Sequence, residues 1–487
     1  MEHITGTARD QITLFPDSVD DYIHQENPVR FLDAFVDQLD TTALDFLHAK
    51  LPDTGRPPYD PKDMLKLYLY GYLNRVRSSR LLERESTRNL EVLWLMKRLS
   101  PDHKTISDFR RNNADALRLV FKEFVTICKK LELFGKELVA IDSTKFKAQN
   151  ARDRVKDRKQ VDDTLVRINE SIARYLQELD ENDTADDTTS TTLSKDDLKQ
   201  KIASLQNRQQ ELEKAKDELR TNTDKYISLT DADCRLIKDR HGIEPSYRMQ
   251  TAVDNKYSLI VDYELTNDAV DNNHLSTMSS AAKTALGTEH LTVCADAGYY
   301  DTVDLKICED NDITTYVPVP AQKVPKRTNV PTHDYYHDKF LYDPASDTFQ
   351  CPAGQVLERY TVHPKSDGRR TYIYRTNGCR QCSVRPFCTT SPRGRYVYRW
   401  EHEAVLDRLK QRLATRPDIV KNRKKIIEHV FGTLKSIWDY GAFLLRGLRK
   451  VSAEAALMNL TYNMRRALTI IGTKNLIASL HNIVLPT

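Results

Sequence analysis

Two carboxylates in this chain stand where a charge needs a reason. Leu138-Val139-Ala140-Ile141 is an apolar run with two β-branched members, which reads as a buried strand, and it stops at Asp142. The pattern returns at Leu291-Thr292-Val293-Cys294-Ala295, which stops at Asp296. A carboxylate at the edge of a buried strand is costly unless it is paired or coordinates a cation. Asp301 and Asp304 lie just past the second run and are its local rivals; Asp296 is preferred because the apolar run ends on it.

A third acid sits on a basic helix. From Ile419 the sequence reads Val420-Lys421-Asn422-Arg423-Lys424-Lys425-Ile426-Ile427-Glu428-His429-Val430-Phe431-Gly432-Thr433-Leu434-Lys435. On a helical wheel Ile427, Val430, Phe431, Leu434 and Trp438 form one apolar stripe, with Lys421, Lys424, Glu428 and Lys435 beside it. Taken alone, Glu428 reads as the partner of Lys424 in an i,i+4 pair worth a few tenths of a kcal/mol. Two strand-borne Asp residues change that balance. Phosphodiester cleavage needs an activated water or hydroxyl and a stabilised leaving oxygen, and two divalent ions about 3.5–4 Å apart supply both. Oxygen ligands suit Mg2+ or Mn2+. Asp142 is expected to bridge two such ions, with Asp296 and Glu428 holding one each.

Sulfur chemistry is suggested elsewhere. Cys351, Cys379, Cys382 and Cys388 fall in one loop-rich stretch, and Cys379-Arg380-Gln381-Cys382 with two outlying thiols suits a structural tetrahedral Zn2+. Cys128, Cys234, Cys294 and Cys308 are scattered and read as core residues.

The elements that must position these groups follow from size and patterning. At 487 residues the chain is long enough for several domains, and 39% hydrophobic residues supply their cores. With 30% charged residues and no apolar run of about 18 residues, a membrane span is not expected. Met1-Glu2-His3-Ile4 lacks the basic start and apolar run of a signal peptide. The formal charge is only +4, yet residues 393–450 carry fifteen Lys/Arg against six Asp/Glu, which favours a polyanionic partner.

Residues 1–130 read as an all-α domain. Pro28 opens a helix with Phe31, Leu32, Phe35, Val36 and Leu39 on one side, and Gly55-Arg56-Pro57-Pro58-Tyr59-Asp60-Pro61 makes a turn into a strongly apolar helix. Arg75, Arg77, Arg80, Arg84 and Arg88 follow, then a short helix carrying Arg110 and Arg111. This is compatible with helix-turn-helix DNA reading and equally with a plain helical bundle. Residues 131–151 begin an α/β domain. Residues 152–226 interrupt it with a helical hairpin or coiled coil: Val161, Leu165, Ile168, Ile172, Tyr175 and Leu179, then an acidic, Thr-rich break from Glu178 to Thr192, then Leu198, Ile202, Leu205, Leu212 and Leu219. Residues 227–320 resume with a β-hairpin turning at Asp254-Asn255-Lys256, a helix from Asn272 to Leu286 and strands from Leu291 and Ile313. Residues 321–400 form the four-Cys insertion, and 401–487 the C-terminal helices with Glu428.

Ala140-Ile141-Asp142-Ser143-Thr144, Ala295-Asp296-Ala297-Gly298-Tyr299 and Glu428-His429-Val430-Phe431-Gly432-Thr433-Leu434-Lys435, in this order, resemble bacterial insertion-sequence transposases of the DDE superfamily. The resemblance covers most of the chain. It implies a ribonuclease-H-like mixed sheet with an inserted helical hairpin, behind an all-α DNA-binding domain. It implies metal-dependent cleavage and strand transfer by the triad Asp142, Asp296 and Glu428 with two Mg2+ or Mn2+ ions. The partners would be double-stranded DNA and, in the synaptic complex, a second copy of the chain; the place of work would be the cytoplasm, at the nucleoid. Lys421, Lys424, Lys435, Arg110 and Arg111 are the expected DNA contacts. One departure stands out: in the spacing Y-x2-R-x3-E-x6-K of related transposases, Lys421 and Lys424 occupy the Tyr and Arg places. A non-catalytic DNA-binding derivative and a nuclease without strand transfer are the rival functions.

Overall fold

The structure is a computed structural model that describes residues 18–51, 54, 57–184, 194–221, 226–239, 242–320, 330–366 and 368–482. The first four residues, Gly55 and Arg56 of the expected turn, and residues 185–192 of the acidic break lie outside the described residues. The chain is mixed α/β and divides into two compact units. The first comprises Met1–Asp271, Ala281–Thr288 and Lys424–Thr487; the second comprises Asn272–Ser280 and Glu289–Arg423.

In the first unit six helices lead: α1 (Pro28–Asp37), α2 (Pro61–Leu73), α3 (Ser79–Arg88), α4 (Leu90–Leu95), α5 (His103–Asn112) and α6 (Ala114–Lys130). Their starts are written locally. Asn27 and Asp60 cap α1 and α2 just ahead of a proline at the first helical position, and the Asp102 carboxylate accepts from the Lys104 and Thr105 N–H groups at the head of α5. α2 is buried on nearly every side. Its Lys66 is buried with it, and the ammonium reaches Asp33 and Asp37 of α1, each at 2.6 Å.

β1 (Leu138–Lys147) follows, then the short β2 (Val155–Asp157). The long helices α7 (Arg158–Thr184) and α8 (Lys195–Thr221) form a hairpin, closed at its base where β2 pairs antiparallel with β3 (Tyr226–Ser228). Its seam is Val161, Leu165, Ile168 and Leu212, flanked by Ile172, Leu205 and Leu219, all positions set by the apolar spacing. β4 (Arg235–Asp239), β5 (Gly242–Asp254) and β6 (Ile260–Thr266) complete the unit's strands. β5 pairs antiparallel with β1 along one edge and with β4 and then β6 along the other.

The β5–β6 connection is longer than the expected three-residue turn, running from Asn255 to Leu259. The register shifts between Ala252 and Val253, and the buried Asp254 carboxylate accepts from the Gly135, Lys136 and Lys256 N–H groups. Three donors at one carboxylate hold the wider loop.

The second unit holds β7 (Leu291–Cys294), α10 (Thr302–Asp310) and β8 (Ile313–Tyr316), with β7 and β8 parallel; α9 (Leu275–Leu286) precedes them and is shared with the first unit. A five-stranded antiparallel sheet follows: β9 (Leu341–Asp343), β10 (Thr348–Gln350), β11 (Val356–Pro364), β12 (Arg370–Arg375) and β13 (Val397–Trp400), in sequence order. Its core is Phe340, Phe349, Leu357, Tyr374 and Val397. The short α11 (Arg385–Cys388) lies between β12 and β13, and α12 (Glu403–Thr415) packs on α10 and β8. The chain re-enters the first unit along α13 (Pro417–Gly432) and ends with α14 (Leu448–Ile471) and α15 (Thr473–His481).

α14 is the axis of the first unit. It packs against α6, α2, α5 and β6, so residues 18–130 share a core with the strands. Asn463 of α14 exchanges hydrogen bonds with both backbone groups of Ile260 at the start of β6. Glu454, fully buried, accepts from the Leu444 and Leu445 N–H groups and faces the Arg110 guanidinium at 3.9 Å.

Arg110, expected from its helix end to contact DNA, is therefore an interior residue, 3% exposed. Its guanidinium donates to the Tyr72 hydroxyl and the Arg77 carbonyl and lies over the Tyr68 ring. Arg111 beside it is exposed and paired with Asp108. A helix must bury one face, and at the C-terminal end of α5 that face carries Arg110. Replacing Glu454 with Ala leaves that cation buried without its anion. Urea denaturation is expected to show a loss of about 3–5 kcal/mol, against less than about 1 kcal/mol for the exposed Arg111→Ala.

Candidate active site

Asp142 lies in the middle of β1, which runs on to Lys147. The fall in hydrophobicity after Ile141 therefore marks a change of environment along the strand. Alternation puts Asp142, Thr144 and Phe146 on one face. The Asp142 carboxylate is half-buried and accepts from the Ser143 N–H at 2.8 Å. Phe146 is fully buried and packs on Phe443, with ring centroids 5.2 Å apart. The Lys435 ammonium stands 5.0 Å from the Phe146 ring centroid. Lys435 thus lies over the side of β1 that bears Asp142.

The helix that carries Glu428 does not continue evenly to Trp438. α13 ends at Gly432, and Thr433–Ile437 forms a π-helical turn closed by the Trp438 N–H to the Thr433 carbonyl at 2.9 Å. A π turn carries more residues than an α turn, so the uniform wheel does not describe Lys435 relative to Glu428. Wide turns of this kind recur at functional sites. Glu428, Lys421 and Lys424 are exposed, and Lys435 is half-buried. His429 shares a hydrogen bond with the Tyr462 hydroxyl at 2.8 Å, which anchors α13 to α14 beside Glu428. Burial of its ring and the nearby Arg466 push the His429 pKa down.

The chain then passes alongside the end of β1. Gly441 accepts from the Lys147 N–H, and the Lys147 carbonyl accepts from Phe443. Arg77 donates to the Ala442 carbonyl and stacks on Tyr440 at 4.4 Å. Arg77 belongs to the row of arginines that follows the apolar helix in the sequence; its work here is to hold this segment.

Asp296 belongs to the second unit. It follows β7 by two residues, is half-buried, and accepts from the Gly298 N–H at 2.8 Å to start a 3-10 turn, Ala297–Tyr299. Its two rivals are committed elsewhere. Asp301 caps α10 through the Val303 and Asp304 N–H groups, and Asp304 is buried, accepting from the Leu275 N–H and the Ser276 hydroxyl. An aspartate at the head of a helix is a cap by its spacing alone, a signal already present in the sequence.

A polar cluster on the opposite face of β1 escaped the sequence reading. Asp271 accepts from the Ser143 hydroxyl at 2.6 Å, from Arg248 at 2.8 Å and from the Gln250 amide at 3.0 Å. Ser143 and Gln250 are register partners, as are Lys145 and Arg248. Strand alternation alone lines these residues up; only the pairing of β1 with β5 shows it.

In the second unit Cys351, Cys379, Cys382 and Cys388 line one small cavity, with Phe340 and Leu357 in its wall. Two tight turns present them. Cys351 to Gln355 closes through Gly354, whose φ is +77°, and the Gln355 N–H points to the Cys351 sulfur at 3.3 Å. Gly394, at φ +89°, passes so close to Cys379 that an added Cβ would lie 2.8 Å from the Cys379 Cβ. Burial pushes the Cys388 thiol pKa up, and its three sister thiols push the same way. Among the described residues no three His, Cys, Asp or Glu side chains are arranged to hold a metal ion as they stand. The same residues contain no helix long and apolar enough to cross a membrane.

Two family models match the chain: a transposase domain (DUF772) over residues 17–112 and a transposase DDE domain over residues 350–468. The second span includes the four cysteines, Glu428 and Lys435, and stops short of Asp142 and Asp296. Among solved structures, the cryo-EM structure of the piggyBac transposase synaptic complex with hairpin DNA aligns over 95% of this chain and 86% of that one. Its identity is 11% and its TM-score 0.26, too loose a superposition to bear on the fold or the site. No curated protein matches.

The Gly394 contact is directly testable. Gly394→Ala forces a Cβ into the Cys379 turn at a backbone angle that L-residues avoid, and is expected to cost about 1–3 kcal/mol. Faster alkylation of the Cys379 thiol, followed by mass spectrometry, is the expected readout.

Proposed function

Because the chain belongs with the DDE-superfamily transposases by its two matched domains, we propose that it binds the inverted-repeat ends of a mobile element. There it cuts the DNA and transfers the freed 3'-hydroxyls to a target. The catalytic carboxylates in this reading are Asp142, Asp296 and Glu428, in a ribonuclease-H-like arrangement.

One observation carries the reading. The DDE match contains Glu428 and Lys435, and Lys435 reaches over the face of β1 that presents Asp142. An ammonium beside a carboxylate-bearing strand suits a backbone phosphate brought to that carboxylate. The donor chemistry fits hard divalent ions: three carboxylates, half-buried or exposed, offer oxygen ligands only. Two bound Mg2+ or Mn2+ ions would activate the attacking oxygen and stabilise the leaving one. The protein's own part is to hold the carboxylates and the phosphate. Ser143 fixes one edge of the Asp142 carboxylate through its N–H, Gly298 does the same for Asp296, and Lys435 neutralises phosphate charge.

Exposed Lys421, Lys424 and Arg111 remain DNA contacts in this reading; the buried Arg110 does not. Joining two ends needs two active sites, so the working complex holds at least a dimer. The four thiols around one cavity fit a structural Zn2+ that would staple the two turns below the five-stranded sheet. Metal analysis of the purified chain is expected to find about one zinc per chain. A folded, zinc-free protein would remove the zinc.

The function itself is tested with DNA carrying the element's own ends. Mg2+- or Mn2+-dependent cleavage is expected from the wild type. Each of Asp142→Ala, Asp296→Ala and Glu428→Ala should lower the rate roughly a hundredfold or more while end binding persists. Cleavage surviving one substitution discards that carboxylate. Cleavage without covalent joining of donor and target identifies a nuclease, and specific binding without cleavage identifies a DNA-binding derivative.

A further inference from the structure

Beside the face of β1 that bears Asp142, β5 and α14 carry two buried oxygens without hydrogen-bond partners among the described residues. Thr251 of β5 is the register partner of Asp142, so the two side chains are neighbours on one face of the sheet. Thr251 is fully buried, and its hydroxyl has no hydrogen-bond partner among the described residues. Two positions along β5 on the same face lies Met249, whose sulfur faces the Asn459 amide nitrogen of α14 at 3.2 Å. Asn459 is also fully buried, and its amide oxygen is likewise unpartnered among the described residues.

Packing does not account for a hydroxyl here. Valine has nearly the same shape as threonine and would fill the site without a polar atom left over. A buried hydroxyl without a partner costs stability, so its presence calls for a partner in some working state. The group of matching chemistry beside it is the Asp142 carboxylate. The Ser143 N–H occupies one oxygen of that carboxylate, and a carboxylate accepts at several lone pairs.

We propose that Thr251 is a positioning residue for Asp142. Its hydroxyl donates to the Asp142 carboxylate when a divalent cation draws that group into its ligating rotamer, and so fixes which oxygen faces the metal. Thr251 touches neither metal nor DNA. It acts through Asp142, with Ser143 and Thr251 holding the carboxylate from two sides. The inference rests on Asp142 being a metal ligand.

The test compares Thr251→Val, Thr251→Ser and Asp142→Ala in the full-length chain, using Mn2+ alone as the probe. Mn2+ binding is measured by titration calorimetry, the metal-free melting temperature by calorimetric scan, and the metal concentration for half-maximal cleavage in parallel. In Thr251→Val, Mn2+ affinity should fall and half-saturation rise by about tenfold, the loss of one hydrogen bond to a charged group. Its melting temperature should hold or rise, because the unpartnered hydroxyl is gone. Thr251→Ser should restore wild-type binding. Wild-type Mn2+ affinity in a stable Thr251→Val overturns the proposal, and so does a Thr251→Ser variant as impaired as the valine variant. If Thr251→Val leaves Mn2+ binding intact while Asp142→Ala abolishes it, only the positioning role fails. If Asp142→Ala also binds and cleaves normally, the assignment of Asp142 fails with it.

Discussion

The buried ion pair between Arg110 and Glu454 is the constraint on which the first unit turns. Removing two charges from water is expensive, and mutual attraction at 3.9 Å offsets it only if the remaining donors and acceptors are also met. Here they largely are. Arg110 gives hydrogen bonds to Tyr72 and to the Arg77 carbonyl, and Glu454 takes the N–H groups of Leu444 and Leu445. Each of those partners is a piece of backbone or a residue that something else depends on. The pair therefore does more than join α5 to α14. It pins the segment that follows Tyr440, whose hydroxyl donates to the Tyr72 carbonyl and whose successors pair with the end of β1.

That anchoring reaches the candidate site by a short path. Gly441 and Phe443 bond to Lys147, Phe443 packs on Phe146, and Phe146 supports the ammonium of Lys435. The π-helical turn at Thr433–Ile437 lies between the helix of Glu428 and this anchored segment. An evenly wound helix would have to reach the segment at a fixed rotation. The wide turn absorbs the mismatch, so α13 can lie against α14 through His429 and Tyr462 while Lys435 turns towards β1. The N-terminal helices and the strands of the first unit are in this way parts of one packed body, with α14 as their common support.

The second unit solves a different problem. Its five-stranded sheet is small, and its core is five buried residues. A sheet of this size has little apolar area with which to hold long connections. The cysteines sit on the connections, Cys351 in a turn closed by the positive-φ Gly354 and the other three around the short helical turns before β13, and they line one cavity against the core.

Much of this was legible in the sequence because it is local. The apolar spacing of Val161, Leu165 and Ile168 marks the seam of the hairpin, the run from Val139 to Ile141 marks a buried strand, and the thiols announce themselves by type and spacing. These signals depend on the periods of helix and strand, which a chain carries wherever it folds. Four features were decided only by tertiary structure. Arg110 reads as a free basic residue at a helix end until α14 brings Glu454 over it. Arg77 reads as one of a row of arginines until the carbonyl of Ala442 arrives. Lys435 belongs to the wheel of Glu428 until a π turn intervenes. Asp271 has no evident role until β1 and β5 align Ser143, Gln250 and Arg248 around it. The reason is plainest for Arg110 and Arg77. The amino-acid sequence determines which residues are apolar and with what period, and hence which elements form. Whether a particular charge is solvated or buried depends on partners hundreds of positions away, which only the packed chain brings into contact.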